Sequence, residues 1–456
     1  MINLFAYMLS FAIGFLCIRL ILGKETTISL LLHISLSIGL GLAISGIITF
    51  FFLLLYGQFS QIGLIMIHLL VLLLLFTLNF FYLPQNTYPR PEQNLKYEKA
   101  FKITTLIAWI IVITLIGILS QQFPSGGWDA WGLYNMKAKF LIYGGRGWTN
   151  VTRLHWHTQP SYPLLLPLIN AWIFSVFQKS LTGVAATTGA LFSISCGFLF
   201  YAGLSMFIKR PLALMAALVL ATTPSYIFWS TTQYADVLLA YYLLASAILL
   251  ILSMRTQKPR MALLAGLFWG IMPLAKNEGI VLLILLIIST CALLLTDKTY
   301  NQIQSKKLIK NLILGASLTV FMNLIFKIFL APATREVLYN PFAYKLKYCN
   351  LQGFLITVHF YFTTMISLGW ALTWGIIALI GMINYKKWFL LKESRILTLV
   401  LAGFTLSVLY VYLMTAHFDL TWRLECTASR ILFYLLPTLL FLSFYTLWTR
   451  NPNNQS

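Results

Sequence analysis

Long apolar runs dominate this chain of 456 residues and limit the folds open to it. With 59% hydrophobic and 9% charged residues, the chain has too little polar surface to cover the core of a soluble globule. About 20 apolar residues are needed to span the hydrocarbon core of a bilayer. We therefore predict an all-α, polytopic integral membrane protein with about 13 transmembrane helices, placed near residues 2–22, 28–56, 61–83, 103–122, 183–208, 212–231, 236–253, 261–275, 279–296, 311–330, 354–383, 396–416 and 430–449.

The distribution of Lys and Arg predicts the orientation of these helices. If the polar loop at 84–102 is cytoplasmic, alternation of the helices places 20 basic residues inside and 12 outside, as the positive-inside rule requires. The N-terminus is then expected outside and the C-terminus inside. The net charge of +21 is spread over short loops, so it indicates topology, and no nucleic-acid partner is expected. No cleavage site follows the first apolar run, so a removable signal peptide is not expected.

The outer loop at 123–160 is the longest polar stretch, and loops of this length are usually functional. Apolar residues recur at helical spacing over 129–143, and Gly144 and Gly145 end the pattern, which predicts an interfacial helix. The next apolar run, 162–177, has only 16 residues and contains two prolines. Because a spanning helix here would spoil the charge asymmetry, we predict a second interfacial or re-entrant helix.

Carboxylates are scarce, and three of the 11 acidic residues lie at the edges of apolar runs within polar clusters. They are Asp129 after Gly-Gly-Trp, Asp236 after Gln-Tyr-Ala, and Glu278 after Lys-Asn. An ionisable residue beside a bilayer is costly and is by default a sign of function. Each also has a structural alternative. Asp129 could be an N-cap, and Asp236 a helix N-terminal acid favoured by the macrodipole. Glu278 could pair with Lys276 to close an outer turn.

Several basic residues on the predicted outer side run against the positive-inside trend. Arg and Lys form strong charge-assisted contacts with phosphate, so an anionic lipid phosphate would explain them. A solvated side chain is the simpler explanation for any one of them. They are chiefly Lys137, Lys139, Lys276, Arg335, Lys345 and Arg430. His155 and His157 are a weak candidate metal pair. Cys349 and Cys426 could pair in an oxidising compartment, but their spacing does not require it.

The order of these clusters resembles the glycosyltransferase C superfamily, the polytopic enzymes that use polyprenyl-phosphate sugars. It is most similar to the branch with protein O-mannosyltransferases, the aminoarabinose transferase of lipid A and the RgtA/B/C/D-like transferases. The resemblance covers residues 105–300. Three segments carry it, namely Trp128-Asp129-Ala130-Trp131 followed by 162–167, Pro224 followed by Gln233-Tyr234-Ala235-Asp236, and a Gly-rich span that ends at Ala275-Lys276-Asn277-Glu278. Better-known members often have a second acid where this chain has Ala130.

The resemblance implies a membrane glycosyltransferase that moves a sugar from a polyprenyl-phosphate donor to a glycolipid, glycan or protein acceptor on the extracytoplasmic face, with inversion. It implies catalytic roles for Asp129 as the base and for Asp236 and Glu278. It also implies substrate contacts for Trp128, Trp131, Lys137, Lys139, Tyr162, Tyr234, Lys276, Asn277 and Arg430. A divalent metal is a candidate cofactor with no assigned ligands.

The resemblance further implies a location in the bacterial inner membrane, with the active site facing the periplasm. The expected organisation is an N-terminal transmembrane portion (1–102), a catalytic transmembrane module (103–300) and a C-terminal transmembrane portion with outer loops (301–456). The main alternative function is a transporter or flippase of lipid-linked saccharides, and a non-catalytic assembly subunit is a third. Transporters usually place ionisable residues near the bilayer midplane and often have repeated halves. Here the acids lie at the outer ends of helices and no repeat is visible, which favours the enzyme.

Overall fold

The computed structural model describes residues 4–23, 28–82, 98–155, 158–177, 180–296, 301–332, 348–414 and 419–449. These ranges form 17 α-helices and no strand, which confirms the all-α prediction. The helices are α1 Leu4–Leu22, α2 Leu30–Tyr56, α3 Gln61–Tyr82, α4 Glu98–Gln122, α5 Asn135–Tyr143, α6 Leu165–Phe177, α7 Leu181–Leu204, α8 Arg210–Ala221, α9 Pro224–Ser230, α10 Ala235–Thr256, α11 Pro259–Ala275, α12 Glu278–Thr296, α13 Gln302–Ile325, α14 Leu351–Met365, α15 Ala371–Leu390, α16 Lys392–Met414 and α17 Leu420–Trp448.

Within the described residues, nine helices are long and apolar enough to cross a membrane, or ten if the bent pair α8 and α9 counts as one span. Shorter apolar helices lie at 106–122, 165–176 and 259–275. The chain is therefore a polytopic integral membrane protein, as its sequence predicts. The number of full-length spans is smaller than predicted because some apolar runs are broken or short.

The predicted span at 212–231 is two helices that meet at an angle of 66°. Proline has no backbone N–H and disfavours a helical conformation in the residue before it. Accordingly, Thr223 is extended and Pro224 opens α9. The break keeps α9 close to the start of α10, where Asp236 lies.

The predicted span at 354–383 is also two helices, α14 and α15, joined by a turn at 366–370. Gly369 in this turn accepts a hydrogen bond from the backbone N–H of Ser225 in α9, at 3.2 Å. The turn consists largely of apolar residues, so a hydropathy pattern alone could not separate it from the helices on either side.

The last helix begins ten residues before the predicted start of the last span at 430. Asp419 caps it, because its carboxylate accepts hydrogen bonds from the backbone N–H groups of Thr421 (2.9 Å) and Trp422 (3.2 Å). Arg430 therefore lies well inside α17, and the helix extends beyond the N-terminal limit predicted for the last span. Its side chain can reach the interior of the bundle from this position.

Helix α10 is the centre of the bundle, and its apolar window is completely buried. It packs against α7, α11 and α17. Small residues allow close approach elsewhere, as is usual between membrane helices. In α11, a Cβ atom on Gly266 would lie 1.9 Å from the carbonyl oxygen of Leu312 in α13.

The segment between α4 and α7 contains the predicted interfacial helices. A π-helical turn at Ala130–Tyr134 runs directly into α5, which ends at Tyr143 as the two following glycines predict. A 3₁₀ turn at Gly145–Thr152 follows. Helix α6 has 13 residues and is almost entirely buried, in contact with α2, α5 and α7. At about 1.5 Å per residue it is too short to span a bilayer, and it lies inside the protein without the exposed face of an interfacial helix.

Candidate active site

Five charged side chains form a continuous ion-pair network at one end of the bundle. In order, they are Asp129, Arg430, Asp236, Lys276 and Glu278. Arg430 contacts Asp129 through Nη1 at 2.7 Å and Asp236 through Nη2 at 2.8 Å. Lys276 contacts Asp236 at 2.9 Å and Glu278 at 2.9 Å. Acids and bases alternate, and the five groups carry a formal charge of −1.

Four segments of chain bring these side chains together. Asp236 lies in the first turn of α10 and Glu278 in the first turn of α12. Lys276 ends α11 in an extended conformation, so the two-residue connection to α12 places it beside Glu278. Asp129 follows α4, whereas Arg430 comes from α17, 194 positions after Asp236. The C-terminal portion of the chain thus contributes one of the two cations.

Burial divides the ion-pair network into an interior and two open ends. The side chain of Asp236 is 1% exposed, that of Lys276 5% and that of Arg430 13%. In contrast, Asp129 is 34% exposed and Glu278 30%. A buried charge is tolerated only when it is paired and hydrogen-bonded. Asp236 meets that condition with two cations, and the two terminal carboxylates are the ones that water or a ligand can reach.

Tyr234 fixes Arg430 relative to Asp129. The guanidinium of Arg430 lies 4.6 Å from the centroid of the Tyr234 ring, a distance suitable for a cation–π contact. The hydroxyl of Tyr234 accepts a hydrogen bond from the backbone N–H of Asp129 at 3.3 Å. Gly127 is needed for this approach, because a Cβ atom there would lie 2.3 Å from the Tyr234 oxygen. Burial, and then the charge of Asp129, raise the pKa of the Tyr234 hydroxyl.

Aromatic side chains also surround Lys276. Its ammonium lies 5.2 Å from the centroid of the Tyr434 ring. Burial alone would lower the pKa of Lys276, but the carboxylates of Asp236 and Glu278 outweigh that effect and raise it. The buried hydroxyls of Tyr134 and Tyr434 have no hydrogen-bond partner among the described residues. Burial, and then the charge of Asp236, raise the pKa of Tyr134 well above its usual value, so it stays a neutral hydroxyl.

The structure decides between the alternatives for the three acids only in part. Asp129 precedes the π-helical turn, but its side chain makes no capping hydrogen bond, so the N-cap interpretation is wrong. Asp236 does occupy a first helical turn, yet it also holds two cations. The ion pair of Lys276 with Glu278 exists as the structural alternative predicts, and the same ammonium also contacts Asp236.

Some of the other residues predicted to contact substrate are exposed, whereas others are buried and bind neighbouring parts of the chain. Trp128 and Trp131 are 56% and 55% exposed, and their ring centroids are 4.4 Å apart. Lys139 on α5 is exposed, and no ion pair in the described chain joins it to the network. Lys137 is fully buried and donates to the backbone oxygens of Gln159 at 2.6 Å and Tyr162 at 3.4 Å. The contacts of Lys137, including the one with the backbone oxygen of Tyr162, are therefore structural. Tyr162 itself is only partly buried.

Two residues near the network are absent from the sequence-based prediction of the site. Lys327, in the π-helical turn after α13, donates to the side-chain oxygen of Asn277 and to the backbone oxygen of Ser161, both at 2.7 Å. A lysine near the outer end of the predicted span 311–330 was the signal that could have identified it. Gln233, three residues before Asp236, is 2% exposed and contacts the segment that carries Asp129. The segment Gln233-Tyr234-Ala235-Asp236 was part of the resemblance, but the partners of Gln233 are distant in sequence, so no local pattern predicted its contacts.

A cavity of about 280 Å³ lies between the α8–α9 break and the turn that joins α14 to α15. It is lined mainly by apolar residues, including Met215, Leu218 and Leu372. Trp370 in its wall donates a hydrogen bond from its indole nitrogen to the hydroxyl of Ser429 at 3.2 Å. Ser429 immediately precedes Arg430, so a wall residue of the cavity is bonded to the sequence neighbour of a network residue.

Metal ligands were predicted only weakly. Among the residues that the structure describes, no group of three or more His, Cys, Asp or Glu side chains is close enough to hold a metal. Residue 157 of the candidate His pair lies outside the described residues, as do Arg335 and Lys345. Cys349 and Cys426 are both exposed free thiols. A divalent metal cofactor remains a prediction.

Residues 161–326 match the sequence model of the family described as dolichyl-phosphate-mannose-protein mannosyltransferase. This match confirms the resemblance to the glycosyltransferase C superfamily. Comparisons with curated proteins and with solved structures found no match. The matched segment contains Asp236, Lys276 and Glu278, whereas Asp129 and Arg430 lie on either side of it.

The glycosyltransferase C match and the apolar helices together support a membrane glycosyltransferase that uses a polyprenyl-phosphate sugar. They support a donor of this class and a glycan or protein acceptor at a membrane.

Proposed function

We propose that this protein transfers a sugar from a polyprenyl-phosphate donor to an acceptor hydroxyl on the extracytoplasmic face, with inversion at the anomeric carbon. The observation that carries the proposal is the ion-pair network, in which a partly exposed carboxylate shares an arginine with a fully buried one. A reacting group must be accessible, whereas the group that orders the cations need not be. On this difference we base the separate roles proposed for Asp129 and Asp236.

Asp129 is the proposed general base. Its carboxylate is 34% exposed, forms an ion pair with Arg430 at 2.7 Å and does not cap a helix, so it has capacity for an acceptor hydroxyl. The acceptor oxygen would bond to the anomeric carbon as the bond from that carbon to the phosphate oxygen breaks. The acceptor proton would pass to Asp129, and polyprenyl phosphate would leave. A single displacement of this kind inverts the anomeric carbon.

Asp236 is proposed to hold the two cations in position. With an exposure of 1% and both carboxylate oxygens engaged, it is better placed to order Arg430 and Lys276 than to contact the sugar. The leaving phosphate gains negative charge in the transition state, and preorganised cations stabilise such charge. The phosphate would reach these cations at the open ends of the network, with Glu278 in a supporting role beside Lys276.

The exposed pair Trp128 and Trp131 supports a sugar-bearing acceptor. The two indoles flank Asp129 in sequence and expose more than half of their surface. Trp128 lies against Gly132, where a Cβ atom would be 2.0 Å from the indole. Anchoring at the membrane interface is the alternative role for such residues. The family description names mannose and a protein acceptor, so mannose is a candidate sugar here, and glycolipid, glycan and protein remain candidate acceptors.

The prenyl chain of the donor would occupy the apolar cavity beside α8 and α9. Its lining is mainly apolar, and its wall contacts Ser429 next to Arg430. A prenyl chain there would place its phosphate near the cations of the ion-pair network. This arrangement would explain why membrane helices surround the polar site of the enzyme.

The proposed location is the bacterial inner membrane with the site facing the periplasm. The support comes from the charge count, which places 20 basic residues inside and 12 outside when the site is extracytoplasmic. The active site would then be built mainly from the module 103–300, with Arg430 supplied by the C-terminal portion.

The test is transfer by purified protein in proteoliposomes, with synthetic polyprenyl-phosphate sugars as donors and a panel of glycolipids and peptides as acceptors. Asp129→Asn should lower turnover by about 10²-fold or more, the scale of a lost general base. Asp419→Asn is the matched control, because Asn also caps helices well and Asp419 is outside the ion-pair network. Near-normal turnover of Asp129→Asn would remove the base from the mechanism. Saccharide translocation without glycoside formation would favour the flippase.

A further inference from the structure

Gln233 contacts both ends of the segment that carries Asp129. Its side-chain nitrogen donates to the backbone oxygens of Pro124 at 3.1 Å and Phe123 at 3.4 Å. Its side-chain oxygen accepts a hydrogen bond from the side chain of Asn135 at 3.2 Å. The side chains of Gln233 and Asn135 are nearly completely buried, so water does not compete for these bonds. One amide therefore closes a loop of 12 residues, 124–135, with Asp129 near its middle.

The backbone supports the same closure. The N–H of Gly127 donates to the backbone oxygen of Thr232 at 3.1 Å. Gly126 has a φ of 70° and lies so close that a Cβ atom would be 2.6 Å from that oxygen and 3.0 Å from the side-chain carbonyl carbon of Gln233. The loop thus rests directly on the residues that lead into α10.

The backbone conformation of Gln233 is unusual. Its φ is 62°, in the left-handed region that few residues other than glycine adopt. Such a conformation persists only when surrounding contacts hold it, and it often occurs at functional sites. Three residues later the chain reaches Asp236, so the backbone turn at Gln233 connects the loop of Asp129 to the buried acid of the network.

We propose that Gln233 is a positioning residue that fixes the Asp129 carboxylate relative to the pair of Asp236 and Arg430. The inference rests on the proposed role of Asp129 as the base. Gln233 does not contact the reacting atoms in this account. It acts by holding both ends of the loop, so its loss would let Asp129 move while the buried pair of Asp236 with Lys276 stays in place.

The main test variant is Gln233→Asn. It keeps an amide but is one methylene shorter, so the contacts to Pro124 and Phe123 are lost. Asparagine adopts left-handed conformations more readily than most residues, so the backbone is not strained further. Gln233→Met, which keeps the length and removes both hydrogen-bonding groups, is the second variant. Folding of each is checked by size exclusion and by the unfolding midpoint.

Gln257, at the other end of α10, provides a matched control. It follows α10 at the opposite end, about 30 Å away at 1.5 Å per residue, and it also has a left-handed backbone, with a φ of 54°. Its side chain donates to the backbone oxygen of Met254 at 2.5 Å. Gln257→Asn therefore makes the same chemical change at a similar backbone conformation, outside the proposed site.

We expect Gln233→Asn to lower kcat by about 10²-fold, the effect of misplacing a reacting group by about 1 Å, with the KM of the donor nearly unchanged. Gln257→Asn should leave both values close to those of the wild type. The decisive measurement is a double-mutant cycle. In the Asp129→Asn background, Gln233→Asn should change the residual turnover by less than about threefold, because no base remains to be positioned.

Three results would overturn the inference. They are a normal kcat in Gln233→Asn and Gln233→Met, an equal loss in Gln257→Asn, and a full further loss of turnover in the Asp129→Asn background. The last would indicate a general structural role. Near-normal turnover of Asp129→Asn alone is a different result, because it contradicts the proposed function before Gln233 is considered.

Discussion

Arg430→Met tests the arrangement of the ion-pair network most directly. Arg430 has two carboxylate partners, and their exposures differ widely. The pair with Asp129 is one-third exposed on the acid side, and such pairs contribute roughly 0–1 kcal/mol. The pair with Asp236 is 13% exposed on the Arg430 side and 1% exposed on the acid side, and removal of one partner of a buried pair costs about 3–5 kcal/mol when the other charge is left uncompensated. Lys276 still contacts Asp236 at 2.9 Å, so only part of that cost applies here. We therefore expect Arg430→Met to destabilise the fold by about 1–3 kcal/mol, the cost of leaving one oxygen of the buried Asp236 carboxylate without its partner.

The assay is equilibrium unfolding of the purified protein in mixed detergent micelles, monitored by helical circular dichroism. Asp129→Asn should lower the free energy of unfolding by no more than about 1 kcal/mol. The double variant Arg430→Met with Asp236→Asn should be more stable than Arg430→Met alone, since the buried carboxylate with one unpaired oxygen is gone and Lys276 keeps its ion pair with Glu278. If Arg430→Met costs no more than Asp129→Asn, or if Asp236→Asn restores nothing, then Asp236 is hydrated and the reasoning from burial is refuted.

Three further predictions concern other parts of the bundle. Glu278→Gln should lower the free energy of unfolding by at most about 1 kcal/mol, because the side chain of Glu278 is 30% exposed. A loss as large as that of Arg430→Met in the same unfolding assay would contradict the position of Glu278 at an open end of the network. Gly266→Ala should destabilise by about 1–3 kcal/mol through overpacking against Leu312, and an unchanged unfolding midpoint would show that α11 and α13 are further apart. Arg255→Met should lower the free energy of unfolding by about 1–3 kcal/mol, a range that allows for the one-third exposure of Arg255 beside the buried Glu393. In transfer assays, the kcat per folded molecule should be unchanged.

The sequence predicted those features of the fold that depend on local pattern. The helical class, the end of α5 at Tyr143 and the short helix before Phe177 follow from hydropathy, glycine and run length. The start of α17 at Leu420 was missed because its first turns are polar, and hydropathy detects only the part of a helix that matches lipid. The break at Pro224 was missed for the opposite reason, since mainly apolar runs lie on both sides of the short polar stretch around it.

The acids of the ion-pair network could be singled out from the sequence, but the pairing of their side chains could not. Asp129, Asp236 and Glu278 were recognisable because acids are rare in this chain and costly beside a bilayer. That Arg430 would contact two of them was not, because the contact with Asp236 joins residues 194 positions apart. Such a contact depends on how two helices are packed, and no local pattern encodes it. The amide contacts of Gln233 were hidden for the same reason.

Helices α10 and α17 are joined by polar contacts at both ends, which explains how Arg430 reaches Asp236. At the end opposite the network, Arg255 of α10 contacts Glu393 at 2.9 Å and lies over the ring of Tyr445 in α17. Asp236 and Arg255 are about 28 Å apart along α10 at 1.5 Å per residue. Apolar side chains alone specify the register of two membrane helices only weakly, since lipid tails are as apolar as leucine. Two polar contacts separated by most of the bilayer oppose a one-turn slip of α17, because such a slip would part Arg430 from Asp236 and move the Tyr445 ring away from Arg255. The fixed register therefore makes the position of the ion-pair network a consequence of helix packing.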